Sequence, residues 1–233
     1  MRQFWIYSNI IFWTLIFGVS SLITILVSGK KELFKFFGII WAKTLSFIFN
    51  VNLVTKGEDY LLKDCNYIFA ANHTSFIDIP LLLLATKRYT VFVAKNELKN
   101  IPIFRSILDN AGFIFVDRNN NEKAISSMNN LISNIKLIPR SVAVFPEGTR
   151  SRNGKLQEFK KGATILGLNT KLPIIPVAIS GGFEWSKKRL LDFSSSEIII
   201  EFGKPINTKN FFYKDREDLT NLIKNDIKKM ISI

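Results

Sequence analysis

Between Phe4 and Val27 the chain runs for 24 residues without a charged side chain. At about 1.5 Å per residue, a helix of that length is about 36 Å long, enough to cross the hydrocarbon core of a bilayer. The stretch carries Ser8, Asn9, Thr14, Ser20, Ser21 and Thr24, so its apolar character is moderate. Ser28-Gly29 breaks it, Lys30, Lys31 and Lys35 follow, and only Arg2 precedes it. Lysine and arginine mark the cytoplasmic flank of a spanning helix, which places the downstream chain in the cytoplasm. A cleaved signal peptide fits poorly, because the apolar run is too long and its basic flank is a single arginine.

A second apolar stretch, Leu33 to Phe49, is interrupted by Lys35 and Lys43. On a helix these two lysines lie about 80° apart, so both reach one side toward head groups while the rest lies in the interface. Two arrangements of residues 1–50 are open: one spanning helix plus an interfacial one, or a two-helix hairpin dipping into one leaflet.

The 233 residues are enough for one good core with a small appendage. There are 32 Lys and Arg against 19 Asp and Glu, a net charge of +13, and 47% of residues are hydrophobic. A basic and apolar chain fits an anionic membrane surface or a nucleic acid. The basic residues are scattered and no nucleic-acid motif is present, so membrane lipid is the expected partner and nucleic acid is not. Cys65 is the single cysteine and His73 the single histidine. An internal disulfide is impossible, and no Cys/His cluster is available for a zinc site.

From Val51 onward, short β-branched or aromatic runs alternate with helical patterns. Strands are expected at Asn52–Lys56, Tyr67–Ala71, Thr90–Ala94, Phe113–Val116, Val142–Phe145, Ile174–Ile179 and Glu197–Phe202. Helices are expected at Phe76–Thr86, Asn96–Asn110, Glu122–Ile138, Gly162–Leu168 and Lys214–Ile231. The alternation predicts an α/β domain over 51–233, a mostly parallel central sheet flanked by helices, preceded by the membrane-associated helical segment 1–50. Sites in such sheets form where the strands end.

Four clusters sit at strand ends. In Asn72-His73-Thr74-Ser75-Phe76-Ile77-Asp78, His73 is the side chain best suited to take a proton near neutral pH. Positions five apart do not share a helix face. His73 and Asp78 therefore meet only if the histidine ends the strand and the acid lies in the first helical turn. A capping box with Ser75 as N-cap gives Asp78 a purely structural alternative; with Pro80 close by, a helix starting at Ile79 capped by Asp78 itself is a second. Phe113 to Arg118 is an apolar strand ending in Asp117-Arg118, either a salt-bridged turn or an arginine aimed at an anion. Phe145-Pro146-Glu147-Gly148-Thr149-Arg150 follows another strand. Gly148 lets the backbone approach a ligand, Thr149 donates a hydrogen bond, and Arg150 offers a fork matched to phosphate. Ile174 to Ile179, leading to Gly181-Gly182, reads as a buried strand and a turn, with no direct chemistry.

Taken together and in order, Asn72-His73-x4-Asp78, Gly112 to Arg118, Phe145 to Ser151 and Ile175-Pro176-Val177 resemble the four blocks of the 1-acyl-glycerol-3-phosphate acyltransferase family. Ala94-Lys95-x-Glu97-Leu98 and Phe159-Lys160-Lys161-Gly162-Ala163 are similar to the family as well. The resemblance covers about Lys56 to Gly182. It implies transfer of a fatty acyl group from acyl-CoA or acyl-carrier protein, as co-substrate and without a cofactor or metal, to the sn-2 hydroxyl of lysophosphatidic acid, giving phosphatidic acid. It also implies roles: His73 as base with Asp78 orienting it, Arg150, Arg118 and Lys95 on the substrate phosphate, and Glu147, Gly148 and Thr149 as the acceptor-site loop. Glycerol-3-phosphate or another lysophospholipid is the alternative acceptor. A non-catalytic membrane-tethered module binding lipid or nucleic acid is the alternative of another class, and it requires no proton transfer at His73.

Overall fold

Seven strands form one sheet: β1 (Val51–Lys56), β2 (Ile68–Ala71), β3 (Thr90–Lys95), β4 (Ile114–Val116), β5 (Ser141–Val144), β6 (Ile174–Ser180) and β7 (Ser196–Phe202). This computed structural model describes residues 2–28, 33–110, 112–116, 140–188 and 194–231, together with positions 127, 129, 130, 132, 133, 135 and 192. The strand order is β1-β7-β6-β2-β5-β3-β4. Strands β6, β2, β5, β3 and β4 run parallel, while β7 pairs antiparallel with β6 and carries β1 parallel to itself. The sheet is therefore mixed but mostly parallel, and each expected strand lies within a residue or so of its observed place.

The helices are α1 (Arg2–Ser28), α2 (Leu33–Ile48), α3 (Asp78–Thr86), α4 (Pro102–Asn110), α5 (Gly162–Thr170), α6 (Gly182–Lys187) and α7 (Arg216–Ile231). The helix expected over 96–110 is split: a 3-10 turn at Asn96–Asn100 precedes α4, which opens at Pro102. Proline is favoured at a first helical position, where its missing N–H has no partner to lose. The short α6 was not expected. The expected helix at Glu122–Ile138 lies mostly outside the described residues.

Successive residues of a strand point to opposite faces, and β2 shows what that does here. Phe69 and Ala71 pack into a core shared with α2 and α3, through Ala42, Leu45, Leu81 and Leu82. Ile68 and Ala70 pack into a second core with α5 and α7, through Leu166, Leu219, Ile223 and Ile227. Strands covered on both faces favour apolar side chains throughout, which is why β2, β5 after Ser141 and most of β6 are continuous apolar runs. A fully buried Phe or Leu contributes about 1.5–3 kcal/mol, so these strands are the most costly to disturb.

The N-terminal pair of helices belongs to this packing. Ile6, Ala42, Leu45 and Phe49 sit in the same core cluster as Phe69 and Phe202. The Trp41 indole N–H donates to Thr14 Oγ1 at 3.0 Å and ties α2 to α1. Gly18 brings α1 against α4: a Cβ there would lie 2.5 Å from the Ile107 side chain. On the other side of α1, Phe4, Ile11, Phe12, Ile23, Leu26 and Val27 are exposed and fall on one arc at 100° per residue.

Chain reversal after β6 depends on Gly181, whose φ is 89°. A side chain there would meet the Glu197 carbonyl oxygen of β7 at 2.5 Å. Gly181→Ala combines a left-handed backbone with a clash against main chain. It should cost about 2–4 kcal/mol and lower the melting temperature by about 5–10 °C in a thermal unfolding scan of the detergent-solubilised protein.

Candidate active site

The carboxyl ends of three adjacent strands, β6, β2 and β5, open at one edge of the sheet. Register sets the site: Ala70 lies beside Val144 and Ala71 beside Val177, so the segments after β2 and β5 emerge side by side while β6 runs on past them to Ser180. The segment after β2 carries His73, that after β5 carries Glu147 and Arg150, and that after β6 carries Gly181 and Gly182.

Asn72 fixes the end of β2. Its amide donates to the Ile179 carbonyl at 2.9 Å and its side-chain oxygen accepts from the Ile179 N–H at 2.7 Å, continuing the ladder with a side chain. His73 follows. Its N–H donates to Glu147 Oε1 at 2.7 Å, and its carbonyl accepts from the Ser151 N–H at 2.8 Å. Both main-chain groups of the histidine are thus held by the loop after β5.

The imidazole is fixed separately. Nδ1 lies 2.9 Å from Asp78 Oδ2, the Asp78 side chain is fully buried, and that of His73 is 12% exposed. The same Oδ2 accepts the N–H of Thr74 at 2.7 Å and of Ser75 at 2.8 Å. With Nδ1 turned to that oxygen as a donor, Nε2 is the ring nitrogen left to accept a proton. Nε2 has no partner among the described residues. Phe145 lies flat against the imidazole, with ring centroids 4.0 Å apart and an interplanar angle of 16°.

The structure decides between the readings of this loop. Helix α3 begins at Asp78; Ile77 is its N-cap and supplies no side-chain cap, so Ser75 is not the cap. Ser75 Oγ reaches only the Ile77 N–H, at 3.4 Å. Pro80 falls in the first turn, where it is tolerated. Yet half of a capping box is present, since Asp78 accepts the Ser75 N–H. The structural and catalytic readings of Asp78 are served by one oxygen.

Glu147 turns inward. It is buried, and Oε2 accepts the Gln157 N–H at 3.0 Å while Oε1 holds His73. Burial pushes its carboxyl up, against the His73 and Gln157 donors, which favour the ionised form. It holds the loop from behind, through the His73 and Gln157 N–H groups. Gly148 lies against the Lys160 side chain, at the turn closed by its N–H to the Phe145 carbonyl. Thr149 and Arg150 line a cavity of about 390 Å³, with Thr74, Ser75 and Arg152 on its walls. Among the described residues the Arg150 guanidinium has no hydrogen bond or ion pair; it lies over the Phe76 ring, 3.6 Å from its centroid. Arg118 is outside the described residues. Lys95 closes β3, and its side chain is outside them too.

Sequence reasoning passed over four residues here. Asn72 and Phe145 stood inside quoted motifs without a role, and Phe76 was only part of the loop. Gly182 was read as a turn. A Cβ at Gly182 would lie 2.6 Å from Asp78 Oδ1 and 2.8 Å from Thr74 Oγ1, two buried oxygens with no hydrogen-bond partner among the described residues. The start of α6 is therefore pressed onto the back of the His73–Asp78 pair. Gly182→Ala, one residue from the stability-determining Gly181, should act on turnover instead. Displacing the carboxylate by a few tenths of an ångström should lower kcat by about 10- to 100-fold in a steady-state assay, with a smaller change in melting temperature than at Gly181.

Residues 52–180 match the family model described as Acyltransferase, more than half of the chain. The chain is 32% identical over 197 residues to the 1-acyl-sn-glycerol-3-phosphate acyltransferase of Saccharomyces cerevisiae, covering 83% of this chain and 65% of that protein. It is 30% identical over 175 residues to the protein of the same name from Cocos nucifera, covering 75% and 56%. The chain thus spans between half and two thirds of the length of these two relatives. A crystal structure of the 1-acyl-sn-glycerophosphate (LPA) acyltransferase PlsC from Thermotoga maritima shares the fold, with a TM-score of 0.76, 24% identity, and coverage of 99% of this chain and 98% of that one. With the matched segment running from β1 through the His73–Asp78 pair and the arginine loop to the end of β6, this chain belongs to the acyltransferase family.

Proposed function

We propose that this protein transfers a fatty acyl group from acyl-CoA or acyl-carrier protein to the sn-2 hydroxyl of 1-acyl-glycerol-3-phosphate, producing phosphatidic acid. One observation carries the reading: an imidazole anchored at Nδ1 by a buried carboxylate stands beside a loop whose arginine has no acidic partner among the described residues. A base and a free guanidinium side by side suit an acceptor bearing both a hydroxyl and a phosphate. The names of the yeast and coconut relatives support the same acceptor.

In this reading Nε2 of His73 takes the proton of the acceptor hydroxyl as the oxygen attacks the thioester carbonyl. A carbon–oxygen bond forms, the carbon–sulfur bond breaks, and the imidazolium returns its proton to the departing thiolate. Asp78 holds the ring and stabilises its transient positive charge, as in a hydrolase triad whose serine is replaced by the substrate alcohol. No nucleophile of the protein is acylated. Arg150 takes the phosphate through its in-plane N–H groups, with Arg118 and Lys95 as further phosphate ligands.

The acceptor is a lipid, and the exposed apolar arc of α1, with Phe36 and Phe47 of α2, offers a surface for its bilayer. Helix Phe4–Ser28 is long and apolar enough to cross a membrane. One side of it packs on the α/β domain, which favours a hairpin entering one leaflet over a free-standing span. In the spanning arrangement, the lysines that follow α1 support a cytoplasmic catalytic face, the flank on which positive charge collects.

Two substitutions test the roles on full-length protein in mixed micelles. His73→Ala should lower turnover by about 10²–10⁴-fold with the fold retained by circular dichroism. Activity within tenfold of wild type would end the general-base reading. Arg150→Ala should raise KM for 1-acyl-glycerol-3-phosphate by at least about tenfold and leave KM for acyl-CoA nearly unchanged. A wild-type preference for glycerol-3-phosphate in the same acceptor series would replace the acceptor named here.

A further inference from the structure

Phe76 stands three residues after His73 and two before Asp78, and nothing in the proton transfer uses it. Its ring nevertheless makes the contacts that define the neighbouring cavity. The Arg150 guanidinium carbon is 3.6 Å from its centroid, close enough for face-on stacking. The ring of Tyr7, from the second turn of α1, meets Phe76 in a T-shaped contact with centroids 4.8 Å apart and planes at 88°. Tyr7, Phe76 and Arg150 all line the cavity of about 390 Å³, alongside Thr149 and Ser186.

An aromatic platform does two things for an arginine. It occupies one face of the guanidinium and leaves the N–H groups, which lie in the plane, free for an anion. It also removes rotamers that a long side chain would otherwise have to give up on binding. The platform is on the loop that carries the base, and that loop is tied by the three hydrogen bonds to Asp78 Oδ2. Base and cation are thus spaced by one rigid turn. The outer support of the platform comes from α1, more than sixty residues earlier in the chain.

We infer that Phe76 is a positioning residue for the acceptor phosphate, holding Arg150 at a set distance from His73, and that Tyr7 braces it, so that α1 contributes to the head-group site itself. The inference rests on the acceptor reading above. Its test uses full-length protein, a short-chain 1-acyl-glycerol-3-phosphate kept below its micelle concentration, and acyl-CoA. Monomeric acceptor separates head-group binding from partition into a bilayer. Phe76→Leu should raise acceptor KM by about 5- to 30-fold, with kcat and the KM for acyl-CoA within twofold of wild type. Phe76→Trp should restore most of the loss, since a tryptophan face serves the same purpose. Tyr7→Ala should move acceptor KM in the same direction by a smaller factor, and Tyr7→Phe should recover it. In the Arg150→Ala background, Phe76→Leu should add almost nothing, because its effect passes through the missing guanidinium.

An equal loss in kcat or donor KM, or effects of the two substitutions that simply multiply, would overturn the inference. If Arg150→Ala raises acceptor KM and Phe76→Leu does not, the platform falls and the acceptor reading stands. If Arg150→Ala leaves acceptor KM untouched, both fall together.

Discussion

One oxygen atom organises the loops at the carboxyl edge of this sheet. Asp78 Oδ2 receives the His73 ring and the N–H groups of Thr74 and Ser75. Burial strips water from this oxygen, and the three contacts take the place of that water. The same bonds curl residues 73–78 into a tight turn and start α3 at its first residue. Geometry and electrostatics therefore have a single source, and disturbing either disturbs both. Asp78 Oδ1, by contrast, has no partner among the described residues and rests against Gly182.

The rest of the fold serves to bring other groups to that turn. Strands β5 and β6 flank β2 in parallel, so the segments beyond their ends open on the same edge of the sheet. From β5 come the Glu147 carboxylate, which pins the histidine's main chain, and Phe145, which covers its ring. Phe92 stacks on Phe145 and Phe113 on Phe92, extending the aromatic column into the sheet core. Such a column excludes water from one face of the imidazole and resists sideways motion of the ring.

Much of this was legible in the sequence, for a physical reason. Strands buried on both faces need uninterrupted apolar runs, and Ile174 to Ile179 shows this plainly. A lone histidine at the end of such a run, five residues before an acid, has few structural uses. The start of α3 was less legible, because Ser75-Phe76-Ile77-Asp78 has the spacing of a capping box and forms only half of one. The inward turn of Glu147 was hidden as well, since an acid in a polar loop looks like a surface group. Gly182, Tyr7 and Phe76 act through approaches between segments far apart in the chain, and no local pattern marks such approaches. The helix pair 1–50 was read as an appendage, and its share in the core through Ile6 and Phe49 appears only when the chain is folded.

That shared core changes what kind of part the N-terminal hairpin is. An anchor joined by a linker is modular: any other tether of similar hydrophobicity would hold the enzyme at its lipid. Here the helix with the exposed apolar arc also packs into the core through Ile6 and supplies a wall beside the arginine loop through Tyr7. A foreign transmembrane segment grafted in its place would restore location without restoring shape. Sequence drift in α1 is accordingly constrained on two sides at once, by the apolar character of the exposed arc and by protein on the other, and its residues should tolerate exchange only in the intervals between them.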